Sequence, residues 1–214
     1  MATKERQKVN GLTMDFLILV MLVLSGAWFL RSVEQRRRVA LLGSFLGKYQ
    51  IESLMENLTQ GYLRALGEDD PARREQILNM LVAAEQSVAL QFGSFATEFA
   101  RVDEEQARVS TLGMALPLAT RLLPQATFDV REAFRIHARG LAEAAGNERQ
   151  RSPRDKAFTI SAELLLMQHT CHWFCRSRAT ASARTLLRHQ TPHEQLVASV
   201  AETTRRDYLA LVKG

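Results

Sequence analysis

The chain is poor in the residues that punctuate or staple a fold. Only two of its 214 residues are cysteine, Cys171 and Cys175. On a helix they stand one turn apart, a spacing that does not suit an intrahelical disulfide. Two free thiols fit a reducing compartment better than an oxidising one. Five prolines and eleven glycines, with no Ser/Gly linker, low-complexity tract or internal repeat, leave long stretches free of helix breakers. That pattern excludes a string of linked units and leaves one domain with a core of ordinary size.

Catalytic signatures are also missing. The chain has no G-x-x-x-x-G-K-[ST] phosphate loop, no G-x-G-x-x-G turn, no nucleophile elbow and no C-x-x-C-H haem attachment. His193-Glu194 begins a metalloprotease motif, but Val197 occupies the position of the required second histidine. No catalytic residue and no cofactor are expected, and the chain reads as non-enzymatic.

The formal charge of +5 is unevenly placed. Residues 31–38 hold four arginines and Glu34, whereas residues 40–214 hold 21 basic and 20 acidic side chains. The larger part is nearly neutral and has no basic patch interleaved with aromatics, so a nucleic-acid partner is not expected. The excess lies beside the one long apolar run, Phe16 to Leu30.

That run covers about 22 Å as a helix, and a bilayer core of roughly 30 Å needs about 20 residues. Extension back through Leu12 to Asp15, and forward to a snorkelling Arg31, reaches the required length. The expected organisation is a short basic tail (1–11), a transmembrane anchor (12–31), a juxtamembrane helix (32–66) and a helical bundle domain (67–214). Ser25-Gly26-Ala27 resembles a signal-peptide cleavage site, but Trp28-Phe29-Leu30 carries the apolar run past it, which supports an uncleaved signal-anchor. Arg31, Arg36, Arg37, Arg38 and Lys48 follow the anchor, and Lys4, Arg6 and Lys8 precede it. Five charges against three place the C-terminal domain in the cytoplasm. Arg31, Arg36, Arg37 and Arg38 are expected to meet anionic headgroups, each gaining about 1 kcal/mol.

Every segment after the anchor reads as helix. Residues 31–66 are expected to prolong the anchor, with a slip in the apolar rhythm near residue 50 and Gly43 and Gly47 placed to bend it. Asp70-Pro71 is a cap followed by a first-turn proline. From Ile77 to Val102 apolar residues recur at intervals of three and four. Residues 110–126, with Pro117 and Pro124, form an apolar connector that packs over the bundle, and Asp103-Glu104-Glu105 is a solvated face. A helix opens at Thr127 or Asp129 and ends near Gly146. Ser152-Pro153 begins another that runs to about residue 189, and Thr191-Pro192 a last one to about Val212. The fold class is all-α: one N-terminal transmembrane helix followed by an antiparallel bundle of about five helices.

Two clusters carry candidate chemistry. The segment Ala157–Cys175 is apolar on nearly every side, which suits the centre of a bundle. His169, Cys171, His172 and Cys175 lie within it, and imidazole and thiolate are the usual ligands of zinc, copper or iron. His137, His189 and His193 are available from elsewhere to complete a site. The spacing matches no paired-ligand zinc pattern, and buried cysteine commonly serves as a small apolar group, so the four are read first as core. The second cluster is Arg131, Arg135 and Arg139, in one row at helical spacing. It offers a face for an anion or acidic partner, or an ordinary solvated side.

The resulting expectation is a single-pass membrane protein whose helical domain acts as an interaction or assembly module, with the bilayer and a protein as partners. The alternatives are a metal- or haem-binding bundle built on the His/Cys cluster, and an exported helical domain.

Overall fold

The computed structural model describes residues 2–213, with side chains from Met14 onward. The fold is all-α in class: one long apolar helix leads into a helical bundle. Helix α1 runs unbroken from Ala2 to Leu46, and its 45 residues span about 67 Å. Among the described residues it is the one helix long and apolar enough to cross a membrane. None of its side chains between Met14 and Leu30 is buried. Farther along the same helix Leu42 lies in the hydrophobic core, with Leu41 and Phe45 packed against it.

The juxtamembrane helix expected over 32–66 is two helices, because α1 stops at Leu46 and α2 starts at Ile51 (Ile51–Leu66). Gly47 follows the end of α1, and α3 (Pro71–Phe99) holds the turn from the side. Glu98 accepts from Lys48 Nζ at 2.6 Å and from Tyr49 Oη at 2.9 Å, and Gln91 Oε1 accepts from the Gln50 amide at 2.7 Å. The Asp70 side chain accepts from the Ala72 amide, so α3 opens as its Asp-Pro signal predicts.

After α3 the chain is not purely helical. A single turn, α4 (Glu104–Ala107), leads into strand β1 (Arg108–Ser110), which pairs antiparallel with β2 (Thr127–Asp129). These strands are unexpected from the sequence. Each has three residues and only its middle side chain, Val109 or Phe128, turns inward. Between them a loop holds one short helix, α5 (Ala119–Leu122), and a 3-10 turn, Pro124–Ala126. Helix α6 (Val130–Gly146) is capped by Asp129, and Asn147 ends it in the left-handed region at φ 51°. Helix α7 (Pro153–Cys175) is capped by Ser152 as expected. It does not continue to residue 189: Arg176 leaves helical geometry and Ser177 caps α8 (Arg178–His189). The final helix is likewise divided, into α9 (His193–Ser199) and α10 (Glu202–Lys213).

Pairwise contacts establish the direction of each helix. Arg38 meets the backbone of Arg108 and Phe174, Tyr49 meets Glu98, and Tyr62 meets Glu85. Glu85 also pairs with Lys156. Thus α2 leads away from the anchor while α3 and α7 return toward it. His137 against Thr170 with Gly140 against Glu163 sets α6 antiparallel to α7, and His169 against Ser182 with Arg178 over Trp173 does the same for α8. The end nearest the anchor therefore gathers residues 102–129, the close of α7 and the start of α8. The far end carries the turns at 67–70 and 147–152.

An aromatic seam joins the helices that matter most. Phe99 of α3 lies 5.1 Å from Phe134 of α6, 5.9 Å from Phe174 of α7 and 5.2 Å from Phe45 of α1, centroid to centroid. Edge-on packing of this kind contributes about 0.5–1.5 kcal/mol per pair beyond area burial. Phe99→Ala is expected to cost about 3–5 kcal/mol in urea unfolding of the full chain in detergent micelles. Phe158→Ala, at a position 62% exposed, should change stability by about 0.5 kcal/mol or less.

Candidate functional site

The end of the domain where α1 enters is built around Arg38. It stands on α1 eight residues past Leu30, and its guanidinium is drawn into the domain. Nη1 donates to the Phe174 carbonyl at 3.2 Å, while Nη2 donates to the Arg108 carbonyl at 3.2 Å and to Glu34 Oε1 at 2.8 Å. The guanidinium also lies 5.5 Å from the centre of the Phe174 ring. One side chain thereby ties α1 to the end of α7 and the start of β1, satisfying carbonyls that helix ends leave unpaired. The four arginines after the anchor are therefore not equivalent. Arg31, Arg36 and Arg37 are exposed and Arg38 is not.

Beside this joint lies an open groove of about 660 Å³. Leu30, Val33 and Leu41 of α1 form one wall, and Pro117 and Leu118 of the β1–β2 loop form the other. Arg37 and Arg121 stand among its lining residues, with Arg121 paired to Glu105. The acidic run 103–105 is thus engaged rather than simply solvated: Asp103 caps α4 and Glu104 pairs with Arg108.

The row Arg131, Arg135 and Arg139 is occupied by the protein's own acids. Arg131 donates to both Asp129 carboxylate oxygens and, at 2.9 Å, to the Val102 carbonyl. Arg135 pairs with Glu132, and Arg139 with Asp207 of α10. The Asp129 carboxylate is the main cause that holds the Arg131 guanidinium above its ordinary pKa. Arg131 and Arg139 fasten α6 to its neighbours, while Arg135 pairs along α6 itself and stays exposed.

The His/Cys segment is dispersed by the packing of α7. His169 Nε2 meets Ser182 Oγ at 3.1 Å, and the His169 ring lies 4.2 Å from that of His193. His172 turns elsewhere, and its Nδ1 donates to the Gln168 carbonyl at 3.0 Å. Cys171 and Cys175 pack half-buried against the large apolar core. Burial raises both thiols, Cys175 to about 11, which keeps them protonated and poor as ligands or nucleophiles. Among the described residues no three His, Cys, Asp or Glu side chains converge as a metal ion would require.

What the sequence conceals is a buried polar centre between α6, α7, α9 and α10. His137, fully buried, sits 2.8 Å through Nε2 from Thr170 Oγ1. Thr170 spends its own proton on the Leu166 carbonyl, so the hydroxyl accepts and His137 carries its proton on Nε2. Glu163, also fully buried, reaches across from α7 and accepts from the Ala201 amide at 3.0 Å, capping α10. Gly140 of α6 makes this possible, since a Cβ there would stand 2.6 Å from Glu163 Oε2 and 2.3 Å from Thr204 Oγ1.

Comparison of the chain with protein-family models, curated proteins and solved structures finds no match. Fold and site define a class only: a helical bundle carried on one helix long and apolar enough to cross a membrane.

Two predictions follow from this geometry. Arg38→Ala should destabilise the full chain in micelles by about 2–3 kcal/mol in urea titration, since charge-assisted bonds are lost and carbonyls left open. Arg36→Ala and Arg37→Ala, at exposed positions, should each stay within about 0.5 kcal/mol. The second concerns acid. Burial depresses His137 to about 3, and burial with the neighbouring His193 does the same for His169. Below roughly pH 6.5 the unfolded chain takes up protons that these folded histidines refuse. Stability is therefore lost as pH falls through the ordinary histidine range. Half-buried His172 and His193 act in the same direction. Glu163 opposes them: burial raises it to about 7 from an ordinary 4.5, against the pull of the Ala201 amide and Thr204 hydroxyl. Between those values the folded state holds a proton the unfolded state has lost, so this contribution declines as pH rises. Urea midpoints should drop gently from about pH 6.5 to 4.5 and more steeply below. Glu163→Gln should steepen the upper range, and equal slopes in variant and parent would refute the assignment.

Proposed function

We propose that the chain is a single-pass membrane protein whose helical domain serves, without catalysis, as an interaction module on the cytoplasmic surface of the membrane. One observation carries the reading. A single helix passes from an apolar stretch with no buried side chain, Met14 to Leu30, into the domain core at Leu42 without interruption. Such a helix serves two solvents, lipid along the first half and protein along the second, and it fixes the height and direction of whatever the domain displays.

The exposed Arg31, Arg36 and Arg37 form a cationic collar where the apolar stretch ends, suited to anionic headgroups. The same excess of positive charge supports the cytoplasmic orientation. The non-enzymatic reading draws on what the candidate side chains already do. The arginine row of α6 is paired internally, and the His/Cys segment of α7 is committed to packing and local hydrogen bonds. A domain of this kind acts through the partner protein it holds at the bilayer.

The protein is expected to stay in the membrane pellet after alkaline carbonate washing, with its first 30 residues intact. A reporter fused to the C-terminus should be active in the cytoplasm, and replacing Arg36 and Arg37 by neutral residues should weaken that orientation. A mature N-terminus at Trp28, or release into the carbonate supernatant, would overturn the anchor. A reporter active only outside would favour the exported domain instead.

A further inference from the structure

The loop between β1 and β2 is firmly rooted yet apolar on its outside. Its stem is closed by the strand pair and by the Thr111 amide donating to the Ala126 carbonyl at 2.9 Å. Trp173 Nε1 donates to the Ser110 carbonyl at 3.0 Å, the Ala179 amide to the Gly113 carbonyl at 3.0 Å, and Ala119 is buried. A loop so fixed turns its large apolar residues outward. Met114 is 71% exposed and Leu122 72%, and Leu116, Leu118 and Leu123 are exposed as well. Leu118 even occupies the left-handed region at φ 58°, a conformation that costs a non-glycine residue about 1–3 kcal/mol. The single charge between Ser110 and Ala126 is Arg121, and Glu105 neutralises it.

The position of this patch decides what covers it. Leu118 and Pro117 share a groove with Leu30 and Val33 of α1, and Met114 and Leu116 share a second with Arg31. Leu30 and Arg31 are where the apolar run of α1 gives way to charge. The patch therefore continues sideways the apolar stretch of α1, at the depth where lipid tails meet headgroups. Arg31, Arg36 and Arg37 stand exposed on α1 at and just beyond that depth, while Glu34 and Glu105 are engaged by Arg38 and Arg121. An apolar surface under a cationic collar complements the interface of an anionic bilayer.

We propose that the residue 112–123 loop is a second membrane contact, seating Met114, Leu116, Leu118, Leu122 and Leu123 in the interfacial layer beside the exit of α1. This rests on the reading of α1 as a membrane anchor. Two points of attachment, one spanning and one interfacial, leave the bundle a single rotation about α1 relative to the membrane plane.

The test uses the full chain, with Cys171→Ala and Cys175→Ala, reconstituted in vesicles of phosphatidylcholine and phosphatidylglycerol. Single cysteines are introduced as Met114→Cys, Leu122→Cys and, at the far end of the bundle, Leu66→Cys, and labelled with an environment-sensitive fluorophore. All three positions are exposed, so the substitutions should leave the fold intact. Labels at 114 and 122 should be quenched several-fold more by nitroxide lipids, and several-fold less by aqueous iodide, than the label at 66. Iodide quenching equal at all three positions, in protein that still resists carbonate, would sink the loop contact alone. Protection at 114 and 122 that disappears on dilution into excess lipid would assign the patch to a second copy of the chain and also overturn the proposal. Extraction of the chain by carbonate would remove the anchor reading and this inference together.

Discussion

The structure depends on α1 being exposed and apolar from Met14 to Leu30 yet entering the core at Leu42, and Arg38 is the residue that fastens it to the domain. Its guanidinium bonds two carbonyls on different elements and lies against Phe174 while keeping Glu34 of its own helix. Hydrogen bonds to a charged group are worth about 1.5–3 kcal/mol each when well placed, more than an exposed ion pair of the same length. A lysine would offer one compact charge at this site. The forked guanidinium reaches Glu34, Phe174 and Arg108 together. Behind it the aromatic seam takes over, with Phe45 of α1 against Phe99 and Phe99 against Phe134. The anchor is continuous with the core through both polar and apolar contacts.

The interior shows a second economy, in which buried polar groups replace local sequence signals. Glu163 is fully buried yet serves as the cap that lets α10 begin where the chain has no capping residue of its own. A carboxylate there costs desolvation, which is why it holds its proton to about pH 7. Gly140 supplies the space, because a side chain at that position would collide with the carboxyl. At the far end Tyr62 and Lys156 both reach Glu85, joining α2, α3 and α7 through one buried acid. Each such group is worth little net, but leaving any of them without its partner would be expensive.

These contacts explain which parts of the fold were legible in the chain and which were not. Asp70-Pro71 and Ser152-Pro153 announce helix starts because cap and first-turn proline are adjacent in sequence, and the side chains bond as those signals require. The spacing from Ile77 to Val102 reports the buried face of α3, including Phe92, Phe95 and Phe99. The break at residues 47–50 shows in the sequence only as a slip in rhythm beside Gly47, and that at 200–201 has no local mark at all. Gln91 and Glu98 pin the first from 41 to 50 residues away, and Glu163 caps the second from 38 residues away. Ser177 does cap α8, but a serine between Arg176 and Arg178, with no proline after it, looks the same whether it caps or not. Three-residue strands with one inward side chain each carry too little alternation to be read. At the anchored end the cluster of arginines was visible, but the division of labour between Arg38 and its neighbours was not, because position along a helix does not reveal which side chain finds carbonyls. The row on α6 was visible as three cations at helical spacing, while Asp207, which takes up one of them, lies 68 residues on.

The loop between the strands is best understood through the same constraint that governs α1. A soluble domain with a rooted loop would gain by turning Leu116, Leu118 and Leu122 inward, since each buried side chain of this kind contributes about 1.5–3 kcal/mol. Here Trp173, Phe128 and Ala119 already fill the space beneath, so the loop has a well-packed underside and an apolar outside. Leu42, where α1 enters the core, is twelve residues beyond Leu30, about 18 Å of helix. The domain is therefore held close to wherever the apolar stretch ends, and a surface on its near side meets that boundary without any further movement of the chain. In the membrane contact we propose, the exposed leucines that would be a liability on a free domain are surface turned toward the apolar environment beside α1.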